Sequence, residues 1–297
     1  MSLFFPLLIG FGSSALIGLL AYQRGSLTRS GVVGAILTGT AIFGFGGFVP
    51  GVLLVAFFVS SSLLSKYKAR AKEKFSEKFQ KGSRRDLGQA LANGGWAALL
   101  AIGGWFAAQN SLAELSQLCT AGLVGALATV TADTWATEIG VLSKSSPRMI
   151  TTGRVVSAGT SGGITWLGTA MAFCGGAFIG AMMIVANFLL FAATDFARAL
   201  AEGIGVALMA SASGIFFVLL AGVSGLLGSL FDSLLGATAQ GIYFSEYDER
   251  QTEKKFDSQG NPTRLVRGWR WLDNDLVNFF ASIFGSLVAA GAAFFIL

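Results

Sequence analysis

Long apolar runs recur along almost the whole chain, and they limit its fold more than any other feature. A helix needs about 20 apolar residues to cross the hydrocarbon core of a bilayer. Charged residues make up only 12% of the sequence, against roughly 25% in an average soluble domain. The sequence therefore predicts an all-α, polytopic bundle of about eight transmembrane helices, at 3–22, 31–49, 50–65, 88–108, 115–142, 162–186, 203–239 and 273–297.

Two boundaries are ambiguous in the sequence, so the number of spans lies between seven and nine. At 48–51 two short Gly-rich segments form either a helical hairpin or one broken helix, and the apolar run before 203 is long enough to contain a further bend. In every case the apolar runs cover the chain so fully that we expect a single membrane domain over 1–297.

The basic residues are distributed unevenly between the loops. With eight spans, all but one of the 21 Lys and Arg residues fall on one side, in 23–30, 66–87, 143–161 and 240–272. The other side has predicted loops at 109–114 and 187–202, and its one basic residue is Arg198. Loops rich in Lys and Arg remain in the cytoplasm. We therefore expect a basic cytoplasmic loop at 66–87, a cytoplasmic loop or lid at 240–272, and both termini on the opposite side of the membrane.

Acidic residues occur inside several of these apolar helices. Asp133 and Glu138 lie in the fifth span, Asp232 in the seventh, and Asp275 at the start of the eighth. An acid at the centre of a bilayer costs roughly 2.5–3.5 kcal/mol on insertion scales, and such acids usually face a polar cavity. These acids and several amides lie toward the predicted cytoplasmic ends of their helices, which predicts a polar pocket that opens to the cytoplasm.

The type of these side chains favours a magnesium site. Mutually close carboxylates repel each other unless a cation lies between them, and carboxylate, amide and hydroxyl oxygens are typical Mg²⁺ ligands. Asp133 and Glu138 point about 140° apart on an ideal helix, so one pocket reaches both only if it wraps around the helix. Interhelical hydrogen bonding is the alternative role for the Asn and Thr residues. The metal candidates are Asp133, Glu138, Asp232 and Asp275, and the catalytic candidates are Asp133, Asp232 and Glu138.

A second polar region precedes the sixth span. Thr160 or Ser161 is placed to cap that helix, and Gly162 leaves backbone N–H groups open at its positive end, where anions bind readily. Lys144, Arg148 and Arg154 come shortly before it. This pattern favours phosphate binding, with plain helix capping as the alternative.

Five sequence blocks also resemble a known family. They are LANGG at 91–95, ADTWATE at 132–138, GTSGGIT at 159–165, GSLFDSLLGA at 228–237 and NDLVN at 274–278. They are similar to those of integral membrane proteins that include the plant phytyl-phosphate kinase of vitamin E (tocopherol) synthesis. The acidic block is also distantly similar to that of dolichol kinases and CDP-diacylglycerol synthases. The sequence departs from the family at Ser161, where many relatives are expected to carry Asn.

The resemblance implies a kinase that transfers a phosphoryl group from a nucleoside triphosphate, CTP, to a prenyl monophosphate such as phytyl or geranylgeranyl phosphate. Its partners would be these two substrates and membrane lipids, without nucleic acid. The acceptor is already anionic and needs no general base, which agrees with the absence of histidine. The expected phosphate- and substrate-binding residues are Asn93, Lys144, Arg148, Arg154, Thr160, Ser161, Gly162, Asn274 and Asn278.

A different class of protein fits the same acids. A transporter or flippase for a polyprenyl-phosphate or another anion would use them as proton or cation sites. Such proteins tend to show inverted repeats, and the sequence contains no convincing one beyond a loose likeness between 133–135 and 232–234.

Overall fold

The computed structural model describes residues 3–69, 84–194 and 196–295, with the side chains of 194–213 left out of the description. Within these residues, eight helices are long and apolar enough to cross a membrane, which confirms the predicted polytopic bundle. They are α1 (Phe4–Gln23), α2 (Arg29–Gly46), α3 (Phe48–Lys66), α4 (Leu87–Gln109), α5 (Ala113–Gly140), α6 (Trp166–Thr194), α7 (Phe196–Thr238) and α8 (Asn274–Phe294).

Two of the open boundaries are resolved. Gly47 separates α2 from α3 with a φ of 83°, a conformation that glycine adopts without steric cost, so these are two helices. The predicted loop at 187–202 is wrong for the described residues, because α6 continues to Thr194 and α7 begins at Phe196. Most of the predicted basic loop, 70–83, lies outside the described residues.

Helix α5 is the centre of the bundle. It packs against α3, α4, α6, α7 and α8, and the side chains from Leu123 to Ala132 are almost all buried. Small residues allow these close approaches, as is typical of membrane helices. A Cβ at Gly175 of α6 would lie 3.0 Å from Ala132 Cα, and one at Gly125 would lie 2.6 Å from Gly285 O. The acid-bearing helix is therefore held tightly on several sides.

Thr129 shows how close this packing is. Its hydroxyl donates to Gly125 O at 2.9 Å within α5, and its side chain lies against Gly228 of α7 and Gly285 of α8. A side chain at either glycine would overlap Thr129. The three helices that surround the inward acids thus meet at one threonine and two glycines.

Gly285→Ala is expected to destabilise the protein strongly, because the new Cβ would collide with Thr129 Oγ1. Overpacking of this kind costs about 1–3 kcal/mol. Gly291→Ala is the matched control on the same helix, since its Cβ has nothing within 4 Å. Thermal unfolding in detergent measures the difference. Equal unfolding midpoints for the two variants would contradict the packing described here.

The segment between α7 and α8, predicted as a loop or lid, folds into a small sheet. Two short strands, β1 (Arg148–Met149) and β2 (Gly163–Ile164), pair with each other before α6. After α7, strand β3 (Ile242–Ser245) pairs antiparallel with β4 (Arg250–Thr252) and β5 (Arg264–Arg267), in the order β4-β3-β5. Hydrogen bonds fix it to the helix ends: Trp269 N donates to Ala239 O at 2.8 Å, and Gly241 N donates to Leu272 O at 2.9 Å. The sheet is therefore anchored beside the ends of both helices.

Candidate active site

A polar cavity of about 270 Å³ lies where the C-terminal ends of α5 and α7 meet the N-terminal ends of α4 and α8. The loop that precedes α6 forms a further wall. Most residues predicted from the sequence meet here. Those lining the cavity are Asn93, Asp133, Glu138, Thr160, Ser161, Gly162, Asp232, Asn274 and Asn278.

Asp133 and Asp232 form the inner part of this cavity. Ser229 Oγ, one turn before Asp232 on α7, donates to Asp133 Oδ1 at 3.2 Å. Asp232 Oδ2 is buried and has no hydrogen-bond partner among the described residues. Asp133 and Glu253 line the same cavity as Asp232. A buried carboxylate oxygen without a partner is costly, so this pair is suited to hold a cation.

Glu138 lies farther around α5, as the 140° separation from Asp133 requires. Ser65 Oγ of α3 donates to Glu138 Oε1 at 2.5 Å. Because both acids line one cavity, the cavity wraps around the end of α5.

Arg85 is a cavity residue that the sequence interpretation counted only as part of a basic loop. It precedes α4, whose first turn is fixed by a capping box between Asp86 and Gln89. Its Nη1 donates to Ser62 Oγ at 3.1 Å. Its guanidinium carbon lies 5.6 Å and 5.5 Å from the ring centroids of Phe57 and Phe58. Burial lowers the pKa of Arg85 to about 10, which leaves it positively charged at neutral pH.

Glu253 is the second residue that sequence reasoning missed. It follows β4 and lines the cavity from the sheet, so the 240–272 segment forms part of the site. No local pattern marks Glu253, because its position depends on how the sheet is anchored. The pair of arginines directly before a capping box could have marked Arg85.

The three basic residues predicted to bind nucleotide phosphates do not line the cavity. Lys144, Arg148 and Arg154 are exposed on the loop before α6. Arg148 Nη1 donates to Gly153 O at 2.9 Å, which uses its side chain within the loop.

Asp275 also lies apart from the other predicted metal ligands. It lines a separate cavity together with Asp273 and Phe279. The sequence predicted that Asp275 shares one polar pocket with Asn274 and Asn278, and this is wrong. Asn274 and Asn278, at i,i+4, share the face toward the polar cavity, whereas Asp275 and Phe279 share the next face. Consecutive helical residues differ by about 100°, which separates the two pairs.

The predicted metal site of four acids is therefore not formed, because Asp275 lines a different cavity from the other three acids. The described residues contain no group of three or more His, Cys, Asp or Glu side chains that could hold a metal ion. Mg²⁺ does not require such a group, because it is commonly bound by one or two carboxylates together with substrate phosphates and water. Asp133 and Asp232 fit that smaller donor set.

The start of α6 differs from the predicted anion site. Thr165, not Thr160 or Ser161, caps the helix, since Gly168 N donates to Thr165 Oγ1 at 3.0 Å. Ser161 Oγ instead donates to Gln240 Oε1 at 2.6 Å. Gly162 has a φ of 84°, and a Cβ there would lie 2.6 Å from Ala237 Cα. Ser161 and Gly162 thus hold the loop against α7 as well as lining the cavity.

A family model described as "Integral membrane protein DUF92" matches residues 12–286 of the sequence. The chain belongs to this family. DUF92 membership confirms the family resemblance that the five sequence blocks indicated. No solved structure matches the chain.

Three relatives illustrate the range of sequences similar to this DUF92 chain. Protein PGR of Arabidopsis thaliana is 32% identical over 299 residues, which cover 98% of each chain. Uncharacterized membrane protein MJ0933 of Methanocaldococcus jannaschii is 31% identical over 221 residues, covering 74% of this chain and 78% of the relative. Protein VTE6, chloroplastic, of Arabidopsis thaliana is 26% identical over 275 residues, covering 91% of this chain and 66% of the relative.

Proposed function

We propose that this protein is a membrane kinase that transfers a phosphoryl group from a nucleoside triphosphate, CTP, to a prenyl monophosphate such as phytyl or geranylgeranyl phosphate. The observation that carries the proposal is the cavity that joins Asp133 and Asp232 to Asn93, Asn274 and Asn278 at the ends of transmembrane helices. The family resemblance, which includes plant phytyl-phosphate kinase, supports the choice of a prenyl phosphate as acceptor.

The charge of the cavity supports a divalent cation. Its described lining contains four carboxylates, those of Asp133, Glu138, Asp232 and Glu253, and one cationic side chain, Arg85. Two phosphorylated substrates would add further negative charge to a site that is already acidic. Bound to Asp133 and Asp232 as cofactor, Mg²⁺ would neutralise charge on the transferring phosphoryl group. Asp232 Oδ2, buried without a partner among the described residues, is the atom best suited to this ligation.

The other cavity residues would position the substrates. Asn93, Asn274 and Asn278 present amides that donate to phosphate oxygens, and Arg85 attracts the anionic acceptor. Phosphoryl transfer depends mainly on positioning and charge stabilisation. The acceptor oxygen belongs to a phosphate and carries no proton that must be removed at neutral pH, so these residues perform the reaction without a histidine base.

A neighbouring cavity of about 220 Å³ is suited to the nucleotide. It shares Gly159, Thr160, Ser161 and Glu253 with the polar cavity. Arg250 and Arg267 also line it. Arg267 Nη2 donates to Gly236 O at 2.8 Å, while its Nε is buried without a partner in the described part of the chain. Burial lowers the pKa of Arg267 because desolvation disfavours the charged form, and a bound phosphate would offset this cost. We therefore assign nucleotide phosphates to these arginines in place of Lys144, Arg148 and Arg154.

The proposal is tested with purified protein in detergent, phytyl or geranylgeranyl phosphate, Mg²⁺ and each of the common nucleoside triphosphates. We expect a prenyl diphosphate and a nucleoside diphosphate in equal amounts. If no pair of substrates yields product, the kinase proposal fails. Uptake of labelled prenyl phosphate or another anion by proteoliposomes would then favour the transporter alternative.

The orientation of the chain in the membrane is a separate proposal. It follows from the uneven distribution of Lys and Arg between the two sets of loops. In a Cys119→Ala/Cys174→Ala background, Ser145→Cys should react with a membrane-impermeant maleimide only from the cytoplasmic side. Gln109→Cys, on the opposite loop, should react only from outside. Labelling of intact cells and inside-out vesicles measures both. Reaction of Ser145→Cys from outside intact cells would contradict this orientation, because the cavity would then face away from the cytoplasm, where nucleotides are found.

A further inference from the structure

An apolar slot lies beside the polar cavity and shares three lining residues with it. Its volume is about 70 Å³, and helices α1, α2, α3 and α4 all contribute to its walls. Arg85, Gln89 and Asn93 line both the slot and the polar cavity. The apolar lining includes Ile17, Ala35, Phe43, Leu54, Val55 and Phe58. A molecule that occupies both spaces would have a polar end among the acids and an apolar end among these helices.

We infer that the slot holds the isoprene unit next to the phosphate of the lipid acceptor, and that Arg85 holds this phosphate at the mouth of the slot. The inference rests on the proposed function and specifies where its acceptor binds. The phosphate would then lie between the slot and the Asp133/Asp232 pair, where the phosphoryl group is received.

The position of Arg85 is the main argument. Its guanidinium lies over the apolar rings of Phe57 and Phe58 and also lines the acidic cavity. Among the described lining residues it is the one basic group, so a phosphate entering the cavity is attracted to this end and repelled by the four carboxylates. A lipid phosphate bound to Arg85 has its chain directed toward the apolar slot.

The slot exists because small residues line the helices around it. Gly18, Gly39 and Gly94 belong to its walls. A Cβ at Gly39 would collide with Ser14, and one at Gly94 would lie 3.2 Å from Thr38 Cβ. The space is therefore narrow, which suits a slender aliphatic chain better than a bulky ring.

A larger groove of about 610 Å³, between α2, α4 and α8, is the competing site for the chain. It shares no lining residue with the polar cavity among those described. Asp273 and Asp275 line it, and their charges disfavour a neighbouring phosphate. The shared lining residues and the charge thus both favour the slot.

Photoaffinity labelling tests the assignment directly. The probe is geranylgeranyl monophosphate with a diazirine on its first isoprene unit, used on the full chain in detergent. We expect labelled peptides from 14–18 or 54–58, which line the slot but not the groove, with labelling suppressed by excess phytyl phosphate. Labelling at 273–279, which lines the groove but not the slot, would assign the chain to the groove and overturn the inference. Suppression by a phospholipid but not by phytyl phosphate, or no labelling at all, would also overturn it.

Two variants that fill the slot provide a second test. Val55→Phe and Ala35→Leu narrow it from different helices, and Val59→Phe is the matched control, one turn along α3 at a position that is 45% exposed. We expect labelling to be about tenfold weaker in both slot variants than in the wild type. Labelling of the Val59→Phe control should equal that of the wild type. The affinity for CTP should not change in any of them. Unchanged labelling in the slot variants would contradict the inference.

The two proposals fail in distinguishable ways. Labelling at 14–18 or 54–58 without prenyl diphosphate formation would refute the kinase and leave the slot in place. Kinase activity with labelling elsewhere, or with the same KM for geranylgeranyl phosphate in the slot variants as in the wild type, would refute the slot and leave the kinase.

Discussion

Asp133→Asn and Asp232→Asn are each expected to reduce phosphoryl transfer by roughly 10²–10³-fold, the range found when a preorganised electrostatic group is removed from an active site. Asparagine keeps the size of the side chain and removes its charge. Ser229, one turn before Asp232, bridges the two helices at Asp133, and both carboxylates line one cavity. The two carboxylates should therefore act on one cation, and the double variant should be little slower than either single variant, because groups that act as a unit are not additive.

Asp275→Asn is the matched control for this prediction. It makes the same change in an acid at the same end of the bundle, but Asp275 lines the separate groove. Its initial rates at limiting Mg²⁺ should stay near those of the wild type, while the cavity variants fall. A well-folded Asp133→Asn or Asp232→Asn protein with nearly full activity under these conditions would show that the metal has been assigned to the wrong side chains.

Arg85→Ala is expected to lower kcat/KM for the prenyl phosphate by about 10²-fold, since hydrogen bonds to charged groups contribute about 1.5–3 kcal/mol each. Guanidinium ion added to the assay should restore part of the activity, because the truncated side chain leaves space for it. Arg84→Ala is the control, as Arg84 is exposed and donates to Leu27 O rather than lining the cavity.

Measuring the affinity for CTP distinguishes a role of Arg85 in binding the acceptor from a purely structural role. If Arg85 holds the acceptor, the Kd for CTP should be unchanged in Arg85→Ala and the melting temperature should fall little. Equal losses for nucleotide and acceptor, without rescue by guanidinium, would contradict the assigned role.

Much of the bundle could be predicted because bilayer crossing depends on the local sequence. Each long apolar run became a helix, and the run that carries Asp133 became the central one. The prediction that Asp133, Asp232, Asn93 and Asn278 converge succeeded because each lies near the same end of its helix. A polar residue in a closely packed apolar helix has few places to face other than a shared cavity.

The errors arose where position depends on tertiary packing. Helical spacing relates residues to one another but does not show which neighbour a face contacts, so Asp275 was grouped with Asn274 although the two face different cavities. Glu253 reaches the site only because a sheet folds beside the helix ends. Thr160 or Ser161 was expected to cap α6, yet Thr165 caps it, and Gln240, distant in sequence, accepts the hydrogen bond of Ser161.

The central claim is that this cavity transfers a phosphoryl group between two phosphates. CTP radiolabelled at its γ-phosphate, incubated with geranylgeranyl phosphate and Mg²⁺, tests it most directly. The account predicts that the wild type places the label on the terminal phosphate of geranylgeranyl diphosphate and that Asp232→Asn does so at least two orders of magnitude more slowly. Label found only as inorganic phosphate, or transferred equally fast by Asp232→Asn, would contradict it.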